Sequence, residues 1–319
     1  MLKVLFKQQH RLFSQGLQPF LPERHFWKIH KPMYKKILVP CLSAFLFTFT
    51  HAQPGLLKME QGQVFNIEVD VKNSITQQAM GQAIDFTVDG KAFHNYQVTN
   101  ASADFYTLHH EAQRLTFQFN GMGAKRAFDS DNKKDISGQF GEPVRQLLAR
   151  KYDLIVDPAG TVMKANPETF PAGQTDDRLV IVLNMLRDLT SVTEPAKKGE
   201  ASFFKILPAK EPVAGDTWKT ESSNANESSV TNYKIASIED SVITVSFETN
   251  GKSVVKAQVM GMESVTSLNS ITTGSILVNR QTGILREKKS ETVSTGTAEM
   301  MGNTTPVNAK TSIKITVSN

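Results

Sequence analysis

Hydrophobic residues recur at every second position through much of this chain, and that period predicts strands. From Val64 to Lys72, Phe65, Ile67, Val69 and Val71 fall on one side while Asn66, Glu68, Asp70 and Lys72 fall on the other. The same alternation runs through Ile84–Val88, Leu115–Phe119, Ile243–Phe247 and Ile313–Val317. Strands with one apolar and one polar face belong to antiparallel sheets that cover a core on one side and meet water on the other. Asp89-Gly90, Asn120-Gly121 and Asn250-Gly251 each follow an alternating run and predict hairpin turns. Glu239-Asp240 separates two further runs in the same way, so the expected connectivity is a meander.

Two segments carry helical spacing instead. Val144, Leu147 and Leu148 predict a helix over Glu142–Lys151, with Pro143 tolerated in its first turn. Thr175-Asp176-Asp177 predicts a cap for a second helix, Arg178–Leu189, apolar on more than one face. Such a helix packs across a sheet or covers a ligand; in the second case Val182, Leu183, Met185 and Leu186 are the candidate covering residues. Glu194–Glu200 breaks the pattern and reads as a linker between an N-terminal half, 53–193, and a C-terminal half, 201–319. The halves share motifs. Gln61-Gly62-Gln63-Val64-Phe65 matches Ala214-Gly215-Asp216-Thr217-Trp218, and Leu154–Val162 matches Ile276–Ile284 as strand, glycine-closed turn and strand. Either a divergent duplication or convergence on common hairpin chemistry accounts for this. The fold class expected is mainly β with two helices (α+β), in curved antiparallel sheets.

The stretch before this pattern is different. Tyr34-Lys35-Lys36 gives a positive start, Ile37–Thr50 a mostly apolar run, and Thr50-His51-Ala52 an ending on small residues. That is the layout of a cleavable export signal over residues 33–52, with cleavage expected between Ala52 and Gln53. The run falls short of the roughly 20 residues that span a bilayer. Met33 then reads as the initiator and residues 1–32 as an upstream extension, the other reading being a long basic leader. Export to a periplasm or cell surface follows.

Removing that segment changes the charge argument. Residues 1–52 carry eight Lys/Arg against one Asp/Glu, so the remainder holds −2 of the chain's formal +5. A basic surface for nucleic acid is therefore not expected. The one cysteine, Cys41, lies inside the apolar run, which leaves no thiol or disulfide chemistry beyond it.

Candidate chemistry is sparse. His109-His110-Glu111 has ligand-type residues, but neighbours on a strand point to opposite faces. Asp129-Ser130-Asp131 opens like a calcium loop, yet Lys133, Lys134 and Phe140 stand where an oxygen ligand, a glycine and a glutamate are needed. No Gly-x-Ser-x-Gly elbow and no phosphate loop occur. No catalytic, cofactor or metal residues are assigned. Met80, Met122, Met163, Met185, Met260 and Met262 could line an adaptable apolar pocket, or simply fill a core.

The Gly62 strand, Phe128-Asp129-Ser130, the Asp157…Gly160 hairpin, Ala214–Trp218 and Gly283-Ile284-Leu285 together resemble a family of exported, uncharacterised bacterial proteins, a domain of unknown function found mostly in the Bacteroidota. The resemblance implies export and a β-rich fold and brings no catalytic residues with it. In architecture the pattern resembles open-barrel periplasmic lipid carriers. The expected function is non-catalytic binding of a lipid or other apolar molecule, the alternative being an interaction protein of the envelope.

Overall fold

A strand needs partners for its backbone N–H and C=O groups on both edges, and a period-two strand also needs a core for one face. The computed structural model, which describes residues 55–79, 82–121, 123–170, 186–259 and 262–319, meets both needs with one twelve-stranded sheet. In chain order the strands are β1 (Val64–Ala79), β2 (Gln82–Ala101), β3 (Tyr106–Gly121), β4 (Ala124–Asp129), β5 (Lys151–Val156), β6 (Val162–Asn166), β7 (Thr217–Ser223), β8 (Glu227–Ile238), β9 (Val242–Val259), β10 (Met262–Asn279), β11 (Leu285–Met300) and β12 (Asn303–Ser318). Among the described residues three helices join them: α1 (Lys133–Ile136), α2 (Gly141–Leu148) and α3 (Arg187–Thr190), the last running into a 3-10 turn, Ser191–Thr193. The leader and most of the predicted second helix, residues 178–185, lie outside the described residues.

The strand order is β6-β5-β3-β2-β1-β12-β11-β10-β9-β8-β7, with β4 pairing along β3 beside β5. Every pairing is antiparallel, as the alternation predicts; β7 to β12 form a meander, and β1 to β6 do so except that β5 returns to pair with β3 beside β4. The last strand closes the seam between them by pairing with the first, Val69 opposite Ile315 and Asn73 opposite Thr311. The sheet is open: among the described residues β7 is an edge without a partner strand, and the edge beyond β6 is met only by the segment 197–202.

Two of the predicted turns are not turns. Asp89-Gly90 lies inside β2 and Asn250-Gly251 inside β9. The glycines are there because a neighbour occupies the space of a side chain. A Cβ on Gly90 would stand 2.3 Å from Leu189 Cδ1, and one on Gly251 would stand 2.7 Å from Ser270 Oγ. Asn120-Gly121 does precede the β3–β4 turn, and Glu239-Asp240 does separate β8 from β9. The β11–β12 hairpin turns through Met301 (φ 53°) and Gly302 (φ 76°), both left-handed as a two-residue hairpin loop requires.

The helix predicted over Glu142–Lys151 spans Gly141–Leu148, because Lys151 is taken as the first residue of β5. In the loop before it, Asn132 caps α1 by accepting from the Lys134 N–H.

The core occupies only one end of the long strands. On the β1–β3 side, Phe65, Ile67, Val69, Tyr96, Leu108 and Leu154 are fully buried; on the β8–β11 side, Ile235, Ile243, Val245, Ile276 and Val278 are. Segments from outside the sheet cover both, through Leu57, Met59, Leu186, Leu189, Phe204 and Leu207. Each such side chain contributes roughly 1.5–3 kcal/mol by leaving water. Residues 197–202 run alongside β6, Gly199 donating to the Val162 carbonyl and Val162 to that of Glu200. Leu57 and Lys58 donate to Pro158 and Thr282, so one segment fastens both of the matched glycine-closed turns.

Candidate ligand-binding site

Beyond the core the same sheet face continues toward the hairpin tips without being filled. Ile75 on β1, Phe86 on β2, Leu268 on β10, Val307 on β12, Ser229 on β8 and Ser222 on β7 line one cavity of about 430 Å³. From β1 to β8 is five strand spacings, which in a flat sheet would be roughly 24 Å. Side chains so far apart in the sheet enclose one space only because the sheet curls around it. The short helix α3 gives a second measure of the curl. Leu189 packs on Gly90 of β2, while Arg187 pairs with Glu227 of β8 at 2.8 Å. One helical turn thus touches both arms of the trough.

The registers sort the lining into rows. Ser222, Ser229, Gly251, Ser270 and Ser294 lie side by side on β7 to β11, and the row continues through Ala309, Ile75 and Phe86 on β12, β1 and β2. Two residues closer to the core, Thr231, Thr249, Thr272, Thr292 and Thr311 form a threonine row that ends on Asn73. Thr231 and Thr249 share a hydrogen bond of 2.8 Å, as do Thr272 and Thr292. Of these threonines, Thr292 and Thr311 line the cavity. Along the serine row the lining is hydroxylated from β8 to β11 and apolar from β12 to β2, whereas nearer the tips Leu268 and Val255 are apolar and Gln77 is polar. The next row from the threonines toward the core is aromatic at the β7 edge, where Trp218 stacks on Tyr233 with centroids 5.0 Å apart and Tyr233 meets Phe247.

Charge at the trough is confined to its rim and floor. Arg187 and Glu227 neutralise each other. Asp188 lines the cavity, and burial holds its carboxyl above the usual carboxylate range. Lys288, below on β11, sets its ammonium 5.2 Å from the Phe247 ring centroid, and burial lowers its pKa.

A buried polar network anchors α3 beneath this floor. His110 Nε2 lies 3.3 Å from His94 Nδ1, and His94 Nε2 lies 3.4 Å from the Leu189 carbonyl. Since a carbonyl only accepts, His94 carries its proton on Nε2, and its Nδ1 accepts a hydrogen bond from His110 Nε2–H. Tyr96 and Tyr152 are bonded at 2.6 Å, and Tyr152 donates to the Val192 carbonyl at 2.7 Å. Burial pushes His94 down to about 4. Burial, with the neighbouring His94 and His109, pushes His110 down to about 3. Burial raises both tyrosines. The network is neutral, and its work is to fasten residues 189–192 to β2, β3 and β5.

Of the predicted covering residues, Leu186 is described: it caps α3 and is 1% exposed, packed into the core. Val182, Leu183 and Met185 lie outside the described residues. The proposed methionine lining is not seen where it can be checked. Met163 is 46% exposed, and neither it nor Met59, Met300 or Met301 lines the cavity; Met80, Met122, Met185 and Met260 lie outside the described residues, and nothing is described of the Met262 side chain. His109 and His110 do diverge, His109 pairing with Asp153 at 2.7 Å on the outer face. The partner sequence reasoning missed is His94, brought beside His110 by a bulge at Phe93/His94. Asp129 is taken up by Arg114, at 2.6 and 3.1 Å. Among the described residues no three His, Cys, Asp or Glu side chains group as metal ligands, and no helix is long and apolar enough to cross a membrane.

Among solved structures the chain is similar to one described as lipid-protein interactions in lipovitellin, at 11% identity and a TM-score of 0.45 over 82% of this chain and 26% of that one. The chain thus spans about a quarter of that protein's length. It is also similar to the COG4313 outer membrane channel from Pseudomonas putida F1, at 7% identity and a TM-score of 0.27, covering 84% of this chain and 100% of that one. Scores this low carry no argument about a ligand. The comparison with curated proteins gave no match. Over residues 185–285, β7 to β10 with α3 before them, the chain is similar to a family of unknown function, DUF6263.

Proposed function

We propose that this is an exported, non-catalytic binding protein whose trough holds one amphipathic molecule of lipid size. The observation that carries the reading is the unfilled cavity of about 430 Å³ on the same sheet face that elsewhere forms the core. That volume falls in the roughly 300–1,000 Å³ range of small-molecule sites, which are concave, largely apolar and fitted with a few placed polar groups. The hydroxyls of the wall support binding over catalysis. Thr231 bonds Thr249 and Thr272 bonds Thr292, rather than a histidine or carboxylate that would activate them. His94 is held in the core by the Leu189 carbonyl it fastens, and His110 by His94.

The test is native mass spectrometry of the chain recovered from a bacterial periplasm without detergent. A species starting at Gln53 and carrying extra mass that lipid extraction removes is expected. A bare chain that takes up no lipid on titration would overturn the binding reading, and a chain retained in the cytoplasm with residues 1–52 intact would overturn export. A docking role is the second reading, favoured by Ile271 and Val293, directly paired on the outer face and 55% and 54% exposed.

A further inference from the structure

Resting on the binding reading above, we propose that the trough selects an uncharged amphiphile of the monoacylglycerol type, with its acyl chain on the β12–β1–β2 arm and its hydroxylated head on the β8–β11 arm. The division of the lining supports this. Along a single row of the sheet the wall changes from Ser229, Ser270 and Ser294 to Ala309, Ile75 and Phe86, so polarity switches from one arm of the curl to the other. Thr292 extends the hydroxylated stretch toward the core and Thr311 carries a hydroxyl across to the foot of β12, while Val307 extends the apolar stretch toward the tips, where Leu268 and Val255 of the β9–β10 arm also line the space. A hydroxyl both donates and accepts, so a row of them satisfies the hydroxyl and ester oxygens of a neutral head whatever its rotation.

The charges argue against an anionic head. Among the described lining residues Arg187 is the one cation of the α3 rim, and Glu227 neutralises it at 2.8 Å. Lys252 of β9 also borders the cavity but is exposed to solvent at its rim, and Lys288 lies beneath the cavity over the Phe247 ring. Asp188 also lines the space, and a carboxylate or phosphate brought beside it would meet an acidic group. Burying an unpaired anion there is unfavourable, whereas a neutral head requires only hydrogen bonds. Asn73 Oδ1, at the end of the threonine row, is a buried acceptor with no partner among the described residues. It adds polar capacity at the boundary between the arms.

The experiment is a titration of the delipidated exported chain with mono-oleoylglycerol, oleate and lyso-phosphatidylglycerol, each competing against one neutral fluorescent acyl probe. Mono-oleoylglycerol is expected to compete at least tenfold better than either anion. The double variant Ser270→Ala with Ser294→Ala should reduce that preference at least fivefold by weakening mono-oleoylglycerol more than oleate, and Ser294→Thr should retain it. Competition by oleate or lyso-phosphatidylglycerol equal to that of the neutral lipid would overturn the head-group assignment while leaving a lipid-binding protein. An unchanged preference in the folded double variant would overturn the hydroxylated arm as its source. If the probe and all three lipids fail to bind, the binding reading fails, and this inference with it.

Discussion

Leu189 sits where a side chain on β2 would otherwise be, and the two positions should be energetically linked. Leu189 is fully buried, so Leu189→Ala is expected to cost about 2–5 kcal/mol. Gly90→Ala forces a Cβ to within 2.3 Å of Leu189 Cδ1 and should cost about 1–3 kcal/mol. In urea unfolding the double variant should cost at least ~1 kcal/mol less than the sum, because truncating Leu189 removes the clash. Strict additivity would place Leu189 elsewhere. The buried histidines set a pH dependence. Unfolded, each binds a proton near pH 6.5; folded, His94 does so near 4 and His110 near 3. Above pH 6.5 both states leave them neutral and stability is indifferent to pH through these groups. Below it the unfolded chain takes up protons that the native state cannot, so stability falls from pH 6.5 toward pH 4 by up to about 1.4 kcal/mol per unit for each histidine. His94→Gln should flatten that decline between pH 7 and 4.5, and an equal decline in the variant would locate the acid sensitivity elsewhere. That His109 and His110 diverge was legible from strand geometry. Their different fates, one on Asp153 and one on His94, depend on a bulge that no local pattern announces.

At the scale of elements, alternation located strands well and their ends poorly. Val64–Lys72 reads as one strand, yet β1 continues to Ala79 because, after the strict alternation stops, β12 keeps pairing with it to Gln77 and β2 to Ala79. Asn-Gly and Asp-Gly were read as turns for their backbone freedom, whereas in β2 and β9 glycine is selected for its missing side chain. This distinction is testable. Gly251→Ala should cost at most about 1 kcal/mol in thermal unfolding, because the Ser270 hydroxyl that its Cβ meets at 2.7 Å can rotate away. A loss of several kcal/mol would mean that Gly251 is needed for its backbone conformation instead. The seven-residue stretch Glu194–Glu200 likewise looks like a linker by composition, while its backbone bonds run to β6.

For the whole molecule, placing the core at one end of the long strands gives the sheet two regimes. Amides near Val245 and Ile276 lie over packed side chains; those near Ser253 and Ser267 belong to arms that border the trough. Hydrogen exchange should therefore be at least tenfold slower at the first pair than at the second, since opening the arms exposes little apolar surface. Uniform protection would mean that the arms fold with the core. The amino-acid sequence by itself determined that the chain is antiparallel β, which face of each strand meets the core, and that no catalytic motif stands out. These are consequences of side-chain spacing along a strand and of residue chemistry, both of which are local. Only the tertiary structure decided the β1–β12 seam, the curl and the row of the lining that runs from serines on β8 to β11 to apolar residues on β12 to β2. Each of these requires residues far apart in the chain, such as Asn73 and Thr311 or Arg187 and Glu227, to meet in one register.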